Sequence, residues 1–116
     1  MEEKVDRAPA YFAVIPSTVR YDKTLRPNAK LLYAEISALA DYAGYCWATN
    51  KYLAGLFGLS DKTISDLVST LADKKYVRVE VIRDAATQSV TERRIWIAHR
   101  GADLPLPTPP PKIKGR

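Results

Sequence analysis

The stretch Thr49 to Leu71, TNKYLAGLFGLSDKTISDLVSTL, decides how this chain folds. Gly58-Leu59-Ser60 divides it into two short runs of helical character. In the first run Leu53, Ala54 and Phe57 make an inward side, Thr49 suits the cap before Asn50, and Gly58 can take the left-handed conformation that ends a helix. Ala54 and Gly55 keep that helix slim where a second one must cross it closely. In the second run Ser60 is placed to accept from the backbone N–H of Lys62 or Thr63, Asp61 favours the positive helix start, and Lys74 and Lys75 offset the negative end. Ile64, Leu67, Val68 and Leu71 then face inward, so Ser60, Lys62, Thr63, Ser65, Asp66 and Ser69 face out. Two short helices joined this way form a helix-turn-helix, and a slender polar face of hydroxyl-bearing residues fits the major groove of a duplex.

Downstream of Tyr76 the apolar period changes from about 3.6 to 2. Val77, Val79 and Val81 share one face of a strand, with Arg78, Glu80 and Ile82 on the other. A second β-type run, Thr91 to Ala98, sets Ile95 and Ile97 against Arg94, Trp96 and Ala98, and the polar residues Arg83 to Val90 form the tip of a hairpin. Upstream, Pro27 suits a first helical position. Ala29, Leu32, Tyr33, Ile36, Leu39, Ala40 and Ala43 then make one continuous stripe of a scaffold helix that Gly44 ends. Tyr45 to Ala48 reads as a brief strand, Ser17 to Val19 as a single helical turn, and Tyr11 to Ile15 as a short β-type run closed by Pro16 and packed on the body. Three main helices followed by a C-terminal β-hairpin wing make an α+β winged helix-turn-helix.

The domain is expected over residues 10–100. Residues 1–9 are charged and aperiodic and read as an arm. Residues 101–116 hold Pro105, Pro107, Pro109, Pro110 and Pro111, five of the eight prolines in the chain, and read as an extended linker expected to lead on past Arg116. With 116 residues, 47% of them hydrophobic, the chain supports one small core. Eighteen Lys and Arg against thirteen Asp and Glu give a formal charge of +5, which favours an anionic partner. Cys46 alone cannot form an internal disulfide, and it reads as a small buried hydrophobe in a reducing cytoplasm. His99 has no second ligand clustered near it, and no Gly-rich phosphate loop or nucleophile–base set is present. Neither an enzyme nor a cofactor or metal is expected. Neither a signal peptide nor a membrane-length apolar run is visible, so the reading is cytoplasmic.

Duplex DNA is the partner this pattern calls for, and the candidate contacts fall into three groups. The second helix contributes Ser60, Lys62, Thr63, Ser65, Asp66 and Ser69. It has no arginine, so base readout rests on Lys62 with hydroxyl, methyl and water contacts, and Asp66 either accepts from a cytosine amine or repels misplaced phosphates. Thr49, Asn50 and Lys51 sit at a helix start, where free N–H groups favour a phosphate. The hairpin adds Arg83, Arg93 and Arg94 with Gln88 near the tip, an element that lies along the flanking backbone or minor groove. Aromatics exceed what so small a core can hold, and Tyr11, Phe12, Tyr42 and Trp96 are candidates for a homodimer surface.

The segments Phe12 to Pro16, Leu25 to Ile36, Gly44 to Asn50 and Thr63 to Ser65 resemble the N-terminal domain of RepA-type replication initiators. These belong to plasmids and phages of Gram-positive bacteria and are related to replisome organisers and DnaD-like proteins. The resemblance runs from about Tyr11 to Ala98 and is carried by the run Leu25-Arg26-Pro27-Asn28-Ala29-Lys30-Leu31-Leu32-Tyr33 followed by Gly44-Tyr45-Cys46-Trp47-Ala48. It implies a winged helix that binds repeated origin sequences, commonly as a dimer, with host replication proteins recruited by a separate C-terminal domain. It also implies DNA contacts at Asn50 and Lys51, along Lys62 to Ser69, and in the hairpin. Two other readings stay open: a transcriptional regulator with the same domain, and a protein-interaction winged helix in a replication or segregation complex.

Overall fold

A computed structural model of the protein describes residues 11–98. The arm expected at residues 1–9, His99 and the proline-rich residues 101–116 lie outside them. The elements run α1 (Ser17–Arg20), α2 (Pro27–Ala43), α3 (Asn50–Phe57), α4 (Asp61–Asp73), β1 (Val77–Arg83) and β2 (Val90–Ile97). α3, the Gly58 turn and α4 are the helix-turn-helix, and the antiparallel β1–β2 hairpin is the wing. The architecture is an α+β winged helix-turn-helix.

Local chemistry sets each boundary. Pro27 opens α2, and Gly44 closes it at φ 92°, its N–H donating to Ala40 O at 2.6 Å. Thr49 Oγ1 accepts from Tyr52 N at 3.0 Å to start α3, and Gly58 at φ 68° ends it. Ser60 Oγ accepts from Thr63 N at 3.0 Å to start α4. At the other end of α4, Lys75 holds φ 70°, a conformation more often given to glycine. There the N–H groups of Lys75 and Tyr76 donate to Ala72 O and Leu71 O at 3.0 and 2.9 Å, which satisfies the last carbonyls of the helix before the chain turns into β1.

The core lies where α2, α4 and the inner face of the hairpin meet, with α3 packed on α4. Ile36, Leu53, Ile64, Leu71 and Ile95 are fully buried there, each worth about 1.5–3 kcal/mol of apolar burial. The α2 stripe buries Ala29, Leu32, Tyr33, Ile36, Leu39 and Ala40, whereas Ala43, expected as its last member, is exposed at the helix end. Strand alternation places Val77, Val79, Ile95 and Ile97 against the core.

Two expectations are corrected. The brief strand at Tyr45 to Ala48 is a single bridge: Cys46 N donates to Ile95 O at 2.8 Å, and Ile95 N to Cys46 O at 2.9 Å. Ala48, two residues on, must already prepare the α3 cap, so the pairing extends no further. The run Tyr11 to Ile15 forms no strand, and only Ile15 packs on the core. Phe12 is 94% exposed.

Tyr76 ties α1 to the end of α4. Its hydroxyl donates to Asp22 Oδ2 at 2.7 Å, and its ring meets Tyr33 edge-on at 6.2 Å. Hydrogen bonds from Thr24 and Tyr76 hold the Asp22 carboxyl down at about 2. Burial and the Asp22 carboxylate push the Tyr76 phenol up to about 12. A depressed carboxyl stabilises the fold above its unfolded pKa near 4, and that contribution is lost as pH falls toward 2. A raised phenol stabilises below its unfolded value near 10 and ceases to as pH climbs toward 12. Tyr76→Phe is therefore expected to flatten both the acid and the alkaline arms of stability against pH, read from urea midpoints at each pH; unchanged arms would dissociate this pair from them.

Candidate nucleic-acid interface

α4 presents two faces of opposite character. Ile64, Leu67, Val68 and Leu71 are buried, and Asp61, Lys62, Ser65, Asp66 and Ser69 are exposed on the other side, uncovered by any described element. Thr63 is half-buried because its hydroxyl is drawn to the cap, where Ser60 Oγ donates to Thr63 Oγ1 at 3.0 Å. Lys62 Nζ lies 3.5 Å from Asp66 Oδ2 across one helical turn, with side chains 83% and 57% exposed, so the pair is weak and open to competition by a phosphate. The helix holds three aspartates, Asp61, Asp66 and Asp73, against the single Lys62. Its outer face is thus short, polar and net acidic, so electrostatic attraction to a polyanion has to come from its flanks.

The start of α3 supplies one such flank. Thr49 and Lys51 are exposed, with the Thr49 hydroxyl turned to its cap. Asn50 is half-buried, and its side-chain carbonyl accepts from Arg93 Nη1 at 2.8 Å. Arg93 Nη2 donates to Ala48 O at 2.7 Å. One guanidinium therefore clamps β2 to the loop before α3 at Ala48 and to the first residue of α3, Asn50. Its half-burial moves its pKa down, yet a guanidinium stays charged at neutral pH. Arg93 also lines a cleft of about 290 Å³ between α4 and the hairpin, together with Ser65, Ser69 and Val79. Arg93 and Asn50, proposed separately from the sequence as DNA contacts, are partners of each other.

The wing tip is organised by Asp84. Its carboxylate accepts from Ala86 N at 2.7 Å and Thr87 N at 3.0 Å, which holds the carboxyl below the usual range. Gln88 takes φ 63°, donating its N–H to Asp84 O, and Arg83 Nη1 donates to Gln88 O at 3.0 Å. Arg83 and Gln88 are thus brought together at an exposed tip. Arg94 is not with them. It projects from the opposite face of the hairpin to Arg93, bonded to Glu92 at 2.8 Å and lying 4.7 Å above the Tyr45 ring. Glu92 raises its pKa. Trp96 is on that outer face as well, donating to Glu80 at 2.9 Å beneath the guanidinium of Arg78.

Sequence reasoning missed the Arg93 clamp. The alternation that set Ile95 and Ile97 inward also sets Arg93 inward, and a buried arginine needs acceptors. The acceptors, a carbonyl and an amide more than forty residues away, carry no sequence mark. Among the described residues no three His, Cys, Asp or Glu side chains gather as a metal would require, and no helix is long and apolar enough to cross a membrane.

A family model described as a helix-turn-helix domain matches residues 23–77, from just before α2 to the first residue of β1. The match takes in α2, α3 and α4 and supports a DNA-binding domain. The comparisons with curated proteins and with solved structures returned no match.

Arg93→Lys retains the charge but gathers its donors on one compact ammonium, which cannot reach two separate acceptors as the planar guanidinium fork does. The substitution is expected to cost about 1–3 kcal/mol of stability by leaving a half-buried acceptor unpaired, measured by urea unfolding. Arg94→Lys, at a more open site, is expected to cost less.

Proposed function

We propose that this domain binds duplex DNA sequence-specifically, with α4 in the major groove, at repeated sites of a plasmid or phage replication origin, as the DNA-reading module of a replication initiator. The observation that carries the proposal is the bare polar face of α4, accompanied by exposed cations on the neighbouring elements: Lys51 at the start of α3 and Arg83 at the wing tip. The helix-turn-helix match supports the duplex as partner. The origin follows from the resemblance of Leu25 to Ile36 and Gly44 to Asn50 to RepA-type initiators.

In this reading the labour is divided. Lys51, Lys62 and the free N–H groups behind Thr49 and Ser60 meet phosphates, and Arg83 with Gln88 follows the flanking backbone or minor groove. Ser65, Ser69 and the Thr63 methyl group meet base edges, and Asp66 accepts from a cytosine amine and rejects misplaced phosphate. Arg93 acts as a positioning residue, setting the wing and the α3 start relative to α4. Asn50 is held by that clamp, and Arg94 contributes least because it points away from the groove-facing side. Binding as a homodimer to repeated half-sites, and recruitment of host replication proteins by a further domain, belong to the same proposal.

Selection of bound sequences from random duplexes tests it: a repeated or palindromic consensus is expected, and enrichment of no sequence would refute specific binding. On the selected duplex, Lys51→Ala and Lys62→Ala are each expected to flatten the slope of log affinity against log salt by about 0.9. Ser65→Ala is expected to relax preference at one position by about 1–3 kcal/mol while leaving random-duplex affinity nearly unchanged. Asp66→Asn is expected to tighten binding to random duplex. Equal losses on selected and random DNA for Ser65→Ala would remove that residue from base readout.

A further inference from the structure

Away from α4, the C-terminal half of α2 and the segments beside it leave a groove of about 640 Å³. Its walls are the rings of Tyr11, Phe12, Tyr42 and Trp47, over a floor of Ala38 and Leu39. Phe12 is 94% exposed and Tyr42 90%, an unusual outlay of aromatic surface for so small a domain. Two of the walls are braced. The Tyr11 hydroxyl donates to Glu35, and the Trp47 ring packs on Tyr52 at 5.9 Å. Braced aromatic rings separated by shallow apolar slots are the surface on which polyproline segments dock, because the proline ridge inserts between rings and little chain entropy is lost.

We propose that this groove holds the chain's own proline-rich segment, Leu104 to Lys112, LPLPTPPPK, in an intramolecular complex. Composition supplies the ligand: Pro105, Pro107, Pro109, Pro110 and Pro111 fall within seven residues. Charge agrees with it. Asp41 stands at the groove, and the charged side chains that follow the prolines, Lys112, Lys114 and Arg116, are all basic. The connection is long enough. Trp47 follows Cys46, which pairs with Ile95, so β2 runs beside one wall of the groove. Ala98 lies three residues past Ile95, roughly 10 Å along the strand. From Ala98 to Pro105 the chain spans up to about 22 Å in polyproline form, enough to return to the groove. The proposal stands apart from the reading of α4, since the groove involves none of its residues.

The test uses the full chain labelled with nitrogen-15, without DNA. Its two tryptophans give two indole N–H resonances: Trp47 reports the groove, and Trp96, bonded to Glu80 on the outer hairpin face, is the control. The double substitution Pro107→Ala, Pro110→Ala is expected to shift the Trp47 indole and the Ala38 to Tyr42 amides at every protein concentration, with Trp96 unmoved. Tyr42→Ala, at a site too exposed to threaten the fold, is expected to shift the Trp47 indole in the same direction. A Trp47 resonance indifferent to the proline substitutions overturns the proposal. Shifts that grow with concentration and accompany a doubled mass overturn it in favour of a second copy as occupant.

Discussion

The relation between wing and helix-turn-helix rests on one backbone pairing, the two hydrogen bonds exchanged by Cys46 and Ile95. Both residues are fully buried, so neither peptide group has water to turn to and the pairing is obligatory. A two-stranded hairpin by itself is marginal in water. Here its second strand is held from one side by β1 and from the other by a single residue, with Val77, Ile95 and Ile97 pressed on the helices. Arg93 repeats the connection two residues along β2, reaching Ala48 and Asn50 from the same face. Backbone and guanidinium together tie β2 to the residues that open α3.

α4, by contrast, is electrostatically poor. Three aspartates against one lysine give α4 little attraction for a polyanion, and its two serines and two threonines supply donors and acceptors without net charge. In the proposed reading, affinity and discrimination are carried by different elements: exposed cations at the α3 start and at the hairpin tip meet phosphate, and α4 is left to test bases. On that proposal, an acidic face on α4 lowers the affinity for arbitrary sequence, which widens the ratio between right and wrong sites when flanking contacts are shared by both.

The surplus of aromatic rings is resolved in two ways. On the outer hairpin face, Trp96 and Tyr45 lie 5.2 Å apart beneath Arg78 and Arg94, with Glu80 and Glu92 completing the polar bonds. That face is closed by its own cation–π and charge contacts. Around the end of α2, Tyr11, Phe12, Tyr42 and Trp47 have no such cover among the described residues.

Much of this was legible in the chain itself. Period 3.6 against period 2, Gly44 and Gly58 at left-handed ends, and Thr49 and Ser60 as caps are local physics, and they determined the order, the ends and the inward faces of α2, α3, α4 and the hairpin. They also picked out the polar residues of α4, because a helix face is set by spacing alone. What the sequence could not determine is who partners whom across the fold. That Tyr45 to Ala48 forms a bridge of one residue depends on where α3 must begin, and that Tyr11 to Ile15 forms no strand depends on which elements the fold sets beside it. Arg83, Arg93 and Arg94 look alike in the chain, yet one lies at the tip, one clamps Asn50 and one covers Tyr45. Strand alternation separates the last two, and only packing over more than forty residues of sequence supplies their acceptors, since a side chain's electrostatic role is fixed by neighbours brought from far along the chain.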